Sequence, residues 1–266
     1  MGIADIIPGV SGGTIALITG IYERLVHAIS GINSLLVKEF FSRNFRKAFK
    51  NIKKIDFALF IPLLLGIALA FLALSHLMSY LLLEWTAITY AFFFGLILAS
   101  ASFVYKHAGN HHSRNFFYLI LGFIFAFWFI GLKALEANHS LPIIFFSGAL
   151  AICAMILPGI SGAFILVLLN QYEFMINAIK NLLFDRLGVF IVGAVIGILS
   201  FSKFLDYLLR KHKGTTMSFL TGLMLGSLRL PYDRVVASVD KMLFPIIAAV
   251  VGFAIVFVLE KRFNHK

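Results

Sequence analysis

The sequence predicts an all-α integral membrane protein made of two inverted structural repeats, each a re-entrant helix hairpin plus about three transmembrane helices. Three observations lead there. The chain is 61% apolar with only 13% charged residues. A helix-breaking motif occurs twice, as Pro8-Gly-Val-Ser-Gly-Gly13 and Pro158-Gly-Ile-Ser-Gly-Ala163, 150 residues apart. Lys and Arg are distributed unevenly between the two sides that an inverted topology defines, 15 against 6.

Composition sets the class. A soluble domain carries about 25% charged residues, twice what is present. Apolar runs long enough to cross a bilayer need about 20 residues. Candidates are Phe57–Leu77, Thr86–Val104, Phe116–Leu132, Leu141–Leu169, Leu187–Leu209, Met217–Leu228 and Phe244–Leu259. A globular core explains one such run, not all of them. No basic stretch precedes the first motif, so no cleavable leader is expected. Cys153 is the only cysteine, which excludes an intrachain disulfide.

The likeness between the two motif regions continues past the glycines. Tyr22-Glu23 matches Tyr172-Glu173, and Ala28-Ile29 matches Ala178-Ile179, at the same offset. Later blocks follow in the same order: Gly95–Ser100 resembles Gly222–Ser227, and Gly122-Phe123 resembles Gly252-Phe253. Two halves are therefore expected, residues 1–139 and 140–266, folded as one membrane domain.

Parity and charge then choose a topology. If each motif segment returns to the side it came from, each half crosses three times and the halves are inverted. Lys and Arg favour the cytoplasmic side. The loop Gly31–Lys54 holds Lys38, Arg43, Arg46, Lys47, Lys50, Lys53 and Lys54, so it is assigned inside, as is the C-terminus. Leaving aside Arg24 and Lys203, which fall within elements, re-entrant motifs give 15 basic residues inside against 6 outside and crossing motifs give 14 against 7, a small difference in favour of inversion. Motif chemistry adds weight, because Pro-Gly-x-Ser-Gly does not continue a helix smoothly. Non-helical backbone at membrane depth lines a cavity or is buried in protein.

Each motif has the makings of an anion site. Pro8 and Gly9, like Pro158 and Gly159, end the preceding segment. Gly12 and Gly13 let a ligand approach the backbone closely. Ser11 or Thr14 suits the cap of the helix that follows. The start of that helix offers N–H donors and a positive dipole end, which suit phosphate. Ser161, Gly162 and Ala163 offer the same in the second copy, with Phe164 in place of Thr14. The bland alternative is a Pro-Gly kink packed closely against its neighbours.

Glu23 and Glu173 follow their motifs by about nine residues, roughly 13 Å along a helix. Two readings stand: proton carriers at membrane depth, or markers of the headgroup level. Asp5 is a third carboxylate beside the first motif. Arg24 either clamps a phosphate bidentately or pairs with Glu23 or Asp5. The stretch Lys38–Lys54 interleaves Phe with base and reads as an amphipathic segment on anionic lipid. That accounts for much of the net charge of +11 without nucleic acid as a partner. His107, His111 and His112 lack a Cys or carboxylate to complete a metal site. No nucleophile elbow, phosphate-binding loop or zinc-hydrolase pattern is present. Neither a cofactor nor an enzyme is expected.

The stretch Ala4–Arg24, with Pro158–Gly162 and Gly222–Ser227, closely resembles the polyprenyl-phosphate transporter family of the PopT type. The likeness spans nearly the whole chain, and the first motif carries most of its specificity. It implies a flippase that returns undecaprenyl phosphate from the outer to the inner leaflet of the bacterial plasma membrane, for reuse in peptidoglycan synthesis. The sequence departs from symmetry at one point. Leu141–Leu157 precedes the second motif, while only seven residues precede Pro8. A small-anion transporter or channel would use paired helix starts equally well. A non-transporting scaffold for envelope synthesis is a third class.

Overall fold

The computed structural model describes residues 1–6, 10–32, 56–107, 113–238 and 242–263. Pro8, Gly9, the basic residues Lys38, Arg43, Arg46, Lys47, Lys50, Lys53 and Lys54, and the His111–His112 pair lie outside the described residues. Those described form helices and connections, with no strand among them. In chain order they are α1 (Gly2–Ile6), α2 (Gly12–Ile18), α3 (Tyr22–Ser30), α4 (Phe57–Glu84) and α5 (Thr86–His107). Then come α6 (Ser113–Ile130), α7 (Leu141–Ile156), α8 (Gly162–Leu168) and α9 (Tyr172–Lys180). The last four are α10 (Phe184–Lys211), α11 (Lys213–Ser227), α12 (Arg229–Ser238) and α13 (Leu243–Phe263).

Among the described residues four helices, α4, α5, α6 and α10, are long and apolar enough to cross a membrane. The broken pair α8–α9 makes a fifth if it counts as one span. Both α4 and α10 have 28 residues, about 42 Å at 1.5 Å per residue. Much of the surface of α4 has no protein partner: Leu64, Leu65, Leu69 and Leu72 are all exposed, Leu72 to 80%. An apolar face of that kind is stable against lipid, not water.

Two of the seven candidate apolar runs differ in the structure from single spans. Leu141–Leu169 is two helices with a break between them, because Leu157 precedes proline and takes an extended conformation (φ −69°, ψ 129°). Gly159 then adopts φ +86°, open to glycine at little cost. Met217–Leu228 is the second part of α11 and its C-cap, and that helix is only 15 residues long.

The repeated glycines mark helix crossings. A Cβ on Gly95 of α5 would fall on the Ala249 carbonyl of α13, and one on Gly252 of α13 on the Phe92 carbonyl of α5. Likewise Gly222 of α11 meets the Leu119 carbonyl of α6, and Gly122 of α6 meets the Phe219 carbonyl of α11. Small residues permit such approach between apolar helices. The pairing also interlocks the chain: α5 packs on α13, and α11 on α6. A third pair, α7 with α10, is matched by the shorter α1 against α4.

The arms after the motifs bend in the same way. Gly20 (φ +71°) ends α2, with Ile21 N–H donating to the Ala16 carbonyl at 3.0 Å. Asn170 (φ +55°) ends α8, with Gln171 N–H donating to the Leu166 carbonyl at 2.7 Å. Both are left-handed helix stops, one built with Gly and the other with Asn. The second turns the chain by 103° into α9.

Candidate functional site: the junction of the two motifs

The two motif segments touch. Gly159 N–H donates to the Thr14 hydroxyl at 3.2 Å, and the Ser11 hydroxyl donates to the Leu157 carbonyl at 3.0 Å. The start of α2 lies so close to the end of α7 that a Cβ on Gly13 would sit 2.7 Å from the Ile156 carbonyl oxygen. Ser11, Gly12, Gly13 and Thr14 are all buried, as are Pro158, Gly159 and Gly162; Ser161 and Ala163 are half-buried.

The two helix starts are not equivalent. At the first, Gly12 N–H donates to a carboxylate oxygen of Asp5 at 2.8 Å, and Gly13 N–H to the Ser11 hydroxyl at 3.1 Å. Thr14 N–H bonds to the Ser11 carbonyl at 3.0 Å. An anionic group already sits where the dipole favours one, and it is the chain's own Asp5. At the second start, Ser161 has cap geometry (φ −101°, ψ 134°) but its side chain makes no cap bond. The first motif is thus closed on itself, while the second lacks that closure.

Tyr22-Glu23-Arg24 lies elsewhere. Tyr22 is 1% exposed, whereas its counterpart Tyr172 is 43% exposed. Glu23 pairs with Lys213 at 2.7 Å, at the start of α11. Arg24 grips Asp56 bidentately, Nε to Oδ2 at 2.7 Å and Nη2 to Oδ1 at 2.9 Å. Hydrogen bonding to Arg24 holds the Asp56 carboxyl below the usual carboxylate range. His27 contacts Asp206 at 3.3 Å and also meets Arg210, which itself bonds Asp206. Glu23, Arg24, His27, Asp206, Arg210 and Lys213 surround a cavity of about 510 Å³. The expected pairing of Arg24 with Glu23 or Asp5 is therefore not what forms.

At the other end of α10, Gln171 contacts His139 at 3.2 Å and donates to the Asn138 carbonyl at 2.7 Å. The His139 ring stacks on Phe174, 4.1 Å between centroids. Arg186 donates to the His139 carbonyl at 3.1 Å. Glu173 is exposed on α9 and has no ion pair among the described residues.

A family model described as undecaprenyl phosphate translocase-like matches residues 1–259. The chain belongs to that family. It is similar to a polyprenyl-phosphate transporter of Vibrio cholerae serotype O1, 43% identical over 228 residues, covering 86% of this chain and 73% of the relative. It is also similar to a polyprenyl-phosphate transporter of Staphylococcus aureus, 30% identical over 279 residues, covering 98% of this chain and 93% of the relative. The family and these relatives are described as translocase or transporters, not as enzymes. No solved structure matches the chain.

In this translocase-like chain, the structure brings together Asp5, Ser11, Gly12, Gly13, Thr14 and Gly159, and sets Glu23, Arg24 and Glu173 apart from them. Sequence reasoning missed Asp56, Asp206 and His27. Asp56 had a signal: an acidic residue directly before an apolar run reads as a helix cap. Its carboxylate accepts from Leu59 N–H at 3.1 Å, as a cap should. Asp206 and His27 had none, because each gains its meaning only when α3 meets α10.

Proposed function

We propose that this protein carries a polyprenyl phosphate, undecaprenyl phosphate in a bacterium, from the outer to the inner leaflet of the plasma membrane. The observation that carries the reading is the contact between the motifs, Thr14 with Gly159 and Ser11 with Leu157. A phosphate cannot cross a hydrocarbon core unaided, since a charge at that depth is expensive. Two glycine-rich segments of broken helix give it backbone and hydroxyl donors in an apolar bundle. The tail stays in lipid along faces such as that of α4.

Contacts at the two ends of α10 support inverted halves at 1–139 and 140–266. The arm after the first motif, α3, meets Asp206, Arg210 and Lys213. The arm after the second, α8–α9, meets residues 135–139 and Arg186 precedes the long run of α10. Arms reaching opposite ends of one long helix fit re-entrant hairpins entering from opposite sides. With the α3 end cytoplasmic, Arg210, Lys211 and Lys213 face the anionic inner leaflet.

The head group is held by Ser161, Gly162 and Ala163 first. Ser11, Gly12, Gly13 and Thr14 join when Asp5 releases Gly12. Arg24 acts later, at the α3 end, when Asp56 lets it go. The test is a proteoliposome assay in which an impermeant phosphatase reports labelled polyprenyl phosphate remaining outside. Wild-type protein is expected to draw label out of reach. Flux of inorganic phosphate with the lipid left outside would replace this reading by a small-anion transporter. Neither movement would favour a scaffold.

A further inference from the structure

A second groove lies beside the charged cavity, between α6, α10 and α11, with a volume of about 300 Å³. Its walls are the side chains of Tyr118, Leu121, Leu208 and Phe219, and its polar lining includes Arg114, His212 and Thr215. Arg114, Leu121 and His212 are exposed, so the groove opens sideways along the helices as well as at their ends. The two cavities contrast in charge. Around the first, Arg24, Arg210 and Lys213 are each matched by a carboxylate, from Asp56, Asp206 and Glu23. Among the described residues, the second has no carboxylate in its lining and Arg114 has no ion pair.

We propose that this groove is a lateral docking site for the polyprenyl phosphate itself, with the phosphate at Arg114 and His212 and the first isoprene units against Tyr118, Leu121 and Phe219. The proposal rests on the transport reading above and adds the port through which the lipid meets the α3-end leaflet. Three features select this occupant. A guanidinium presents a planar fork that matches phosphate oxygens bidentately. A monoester phosphate carries about −1.5 to −2 charges near neutral pH, more than a diester phospholipid offers. A narrow groove with one apolar wall suits a single chain better than paired acyl chains. Position agrees: His212 separates α10 from α11 next to Lys213, so the groove and the charged cavity share one end of the bundle.

The test uses the full chain in proteoliposomes with a polyprenyl phosphate bearing a photoreactive diazirine on its first isoprene unit. Peptide mapping after illumination is expected to find adducts on Tyr118, Leu121 or Phe219. Arg114→Gln is expected to lower their yield about tenfold, as loss of one charge-assisted bond implies. Arg114→Lys is expected to retain part of it, and excess phosphatidylglycerol to leave it unchanged. Transport is measured on the same vesicles. Transport with adducts elsewhere overturns the groove alone. Adducts here without transport uphold the groove and overturn the proposed function. Equal displacement by phosphatidylglycerol, or full yield in Arg114→Gln, overturns the groove as a site for this lipid.

Discussion

The Thr14 hydroxyl accepts a hydrogen bond from Gly159 N–H across 145 residues of sequence. Both groups are buried, and each belongs to one copy of the motif. Phe164 stands where the second copy would need its own Thr14, so the bond has no symmetric partner. It ties the left-handed turn at Gly159 to the first turn of α2. Replacing Thr14 by the isosteric Val leaves a buried N–H without an acceptor, which costs about 1–3 kcal/mol. Thr14→Val is expected to lower the thermal unfolding midpoint in detergent, and Thr14→Ser to restore most of it. Equal midpoints for Val and wild type would mean the contact is incidental.

The two motif serines are expected to separate stability from ligand binding. Ser11 caps α2 and also bonds to Leu157, so Ser11→Ala should cost about 0.5–2 kcal/mol from the cap alone. Ser161 makes no cap bond in this structure, so Ser161→Ala should leave the unfolding midpoint unchanged. If Ser161 touches phosphate, its loss raises KM for the lipid roughly ten- to a hundredfold. Unchanged KM would remove Ser161 from the site. Glycine substitutions are poorer probes. A Cβ on Gly162 would lie 2.7 Å from the Ala151 carbonyl oxygen, and one on Gly12 would lie 2.5 Å from the Asp5 carboxylate. Valine at either position disturbs packing or the Asp5 contact before any ligand arrives.

The break at Pro158-Gly159 was legible in the sequence, because proline restricts the residue before it and glycine accepts positive φ; the left-handed stops at Gly20 and Asn170, which rest on the same tolerance of positive φ, were not read. The glycine matches Gly95 with Gly222 and Gly122 with Gly252 were legible too, since both pairs mark the same kind of crossing. The partners of polar groups were not. Asp5 lies seven residues before Gly12, yet nothing local says that its carboxylate returns to cap that N–H. Arg24 reads as a candidate clamp until α3 and α4 meet and Asp56 accepts from its Nε and Nη2. Such contacts depend on how helices approach, a tertiary property that periodicity does not encode.

The α3 arm contacts three other segments through two ion pairs, Glu23 to Lys213 and Arg24 to Asp56, and a polar contact of His27 with Asp206. A single exposed pair contributes about 0–1 kcal/mol. Together they favour one position of α3 over others. Lys213→Glu is expected to expose α3, measured as faster labelling of a cysteine placed at Ser30 in a Cys153→Ala background. The charge swap Glu23→Lys with Lys213→Glu should return labelling to the wild-type rate. If the swap labels as fast as the single variant, the pair does not hold the arm.

Energy coupling gives the last prediction. Under the inward transport proposed above, phosphate would move negative charge toward the negative side, at about 2.3 kcal/mol per charge per 100 mV. A proton carried with it cancels one charge and adds the pH gradient. Three carboxylates, Asp5, Glu23 and Glu173, are candidates for that proton. Glu23 is committed to Lys213, and Glu173 is exposed on α9. Asp5 alone touches the motif junction, through Gly12 N–H. If phosphate binds at this helix start as proposed, protonating Asp5 would remove the negative charge that competes with it, so proton and lipid binding would favour each other. Asp5→Asn keeps an oxygen for Gly12 while fixing the neutral state. In proteoliposomes with an imposed pH gradient, Asp5→Asn is expected to retain gradient-free exchange and lose gradient stimulation. Glu173→Gln should keep the stimulation, and so should Glu23→Gln. A full gradient response in Asp5→Asn, with loss in either glutamate variant, would move the proton to that glutamate and leave Asp5 as a helix cap only.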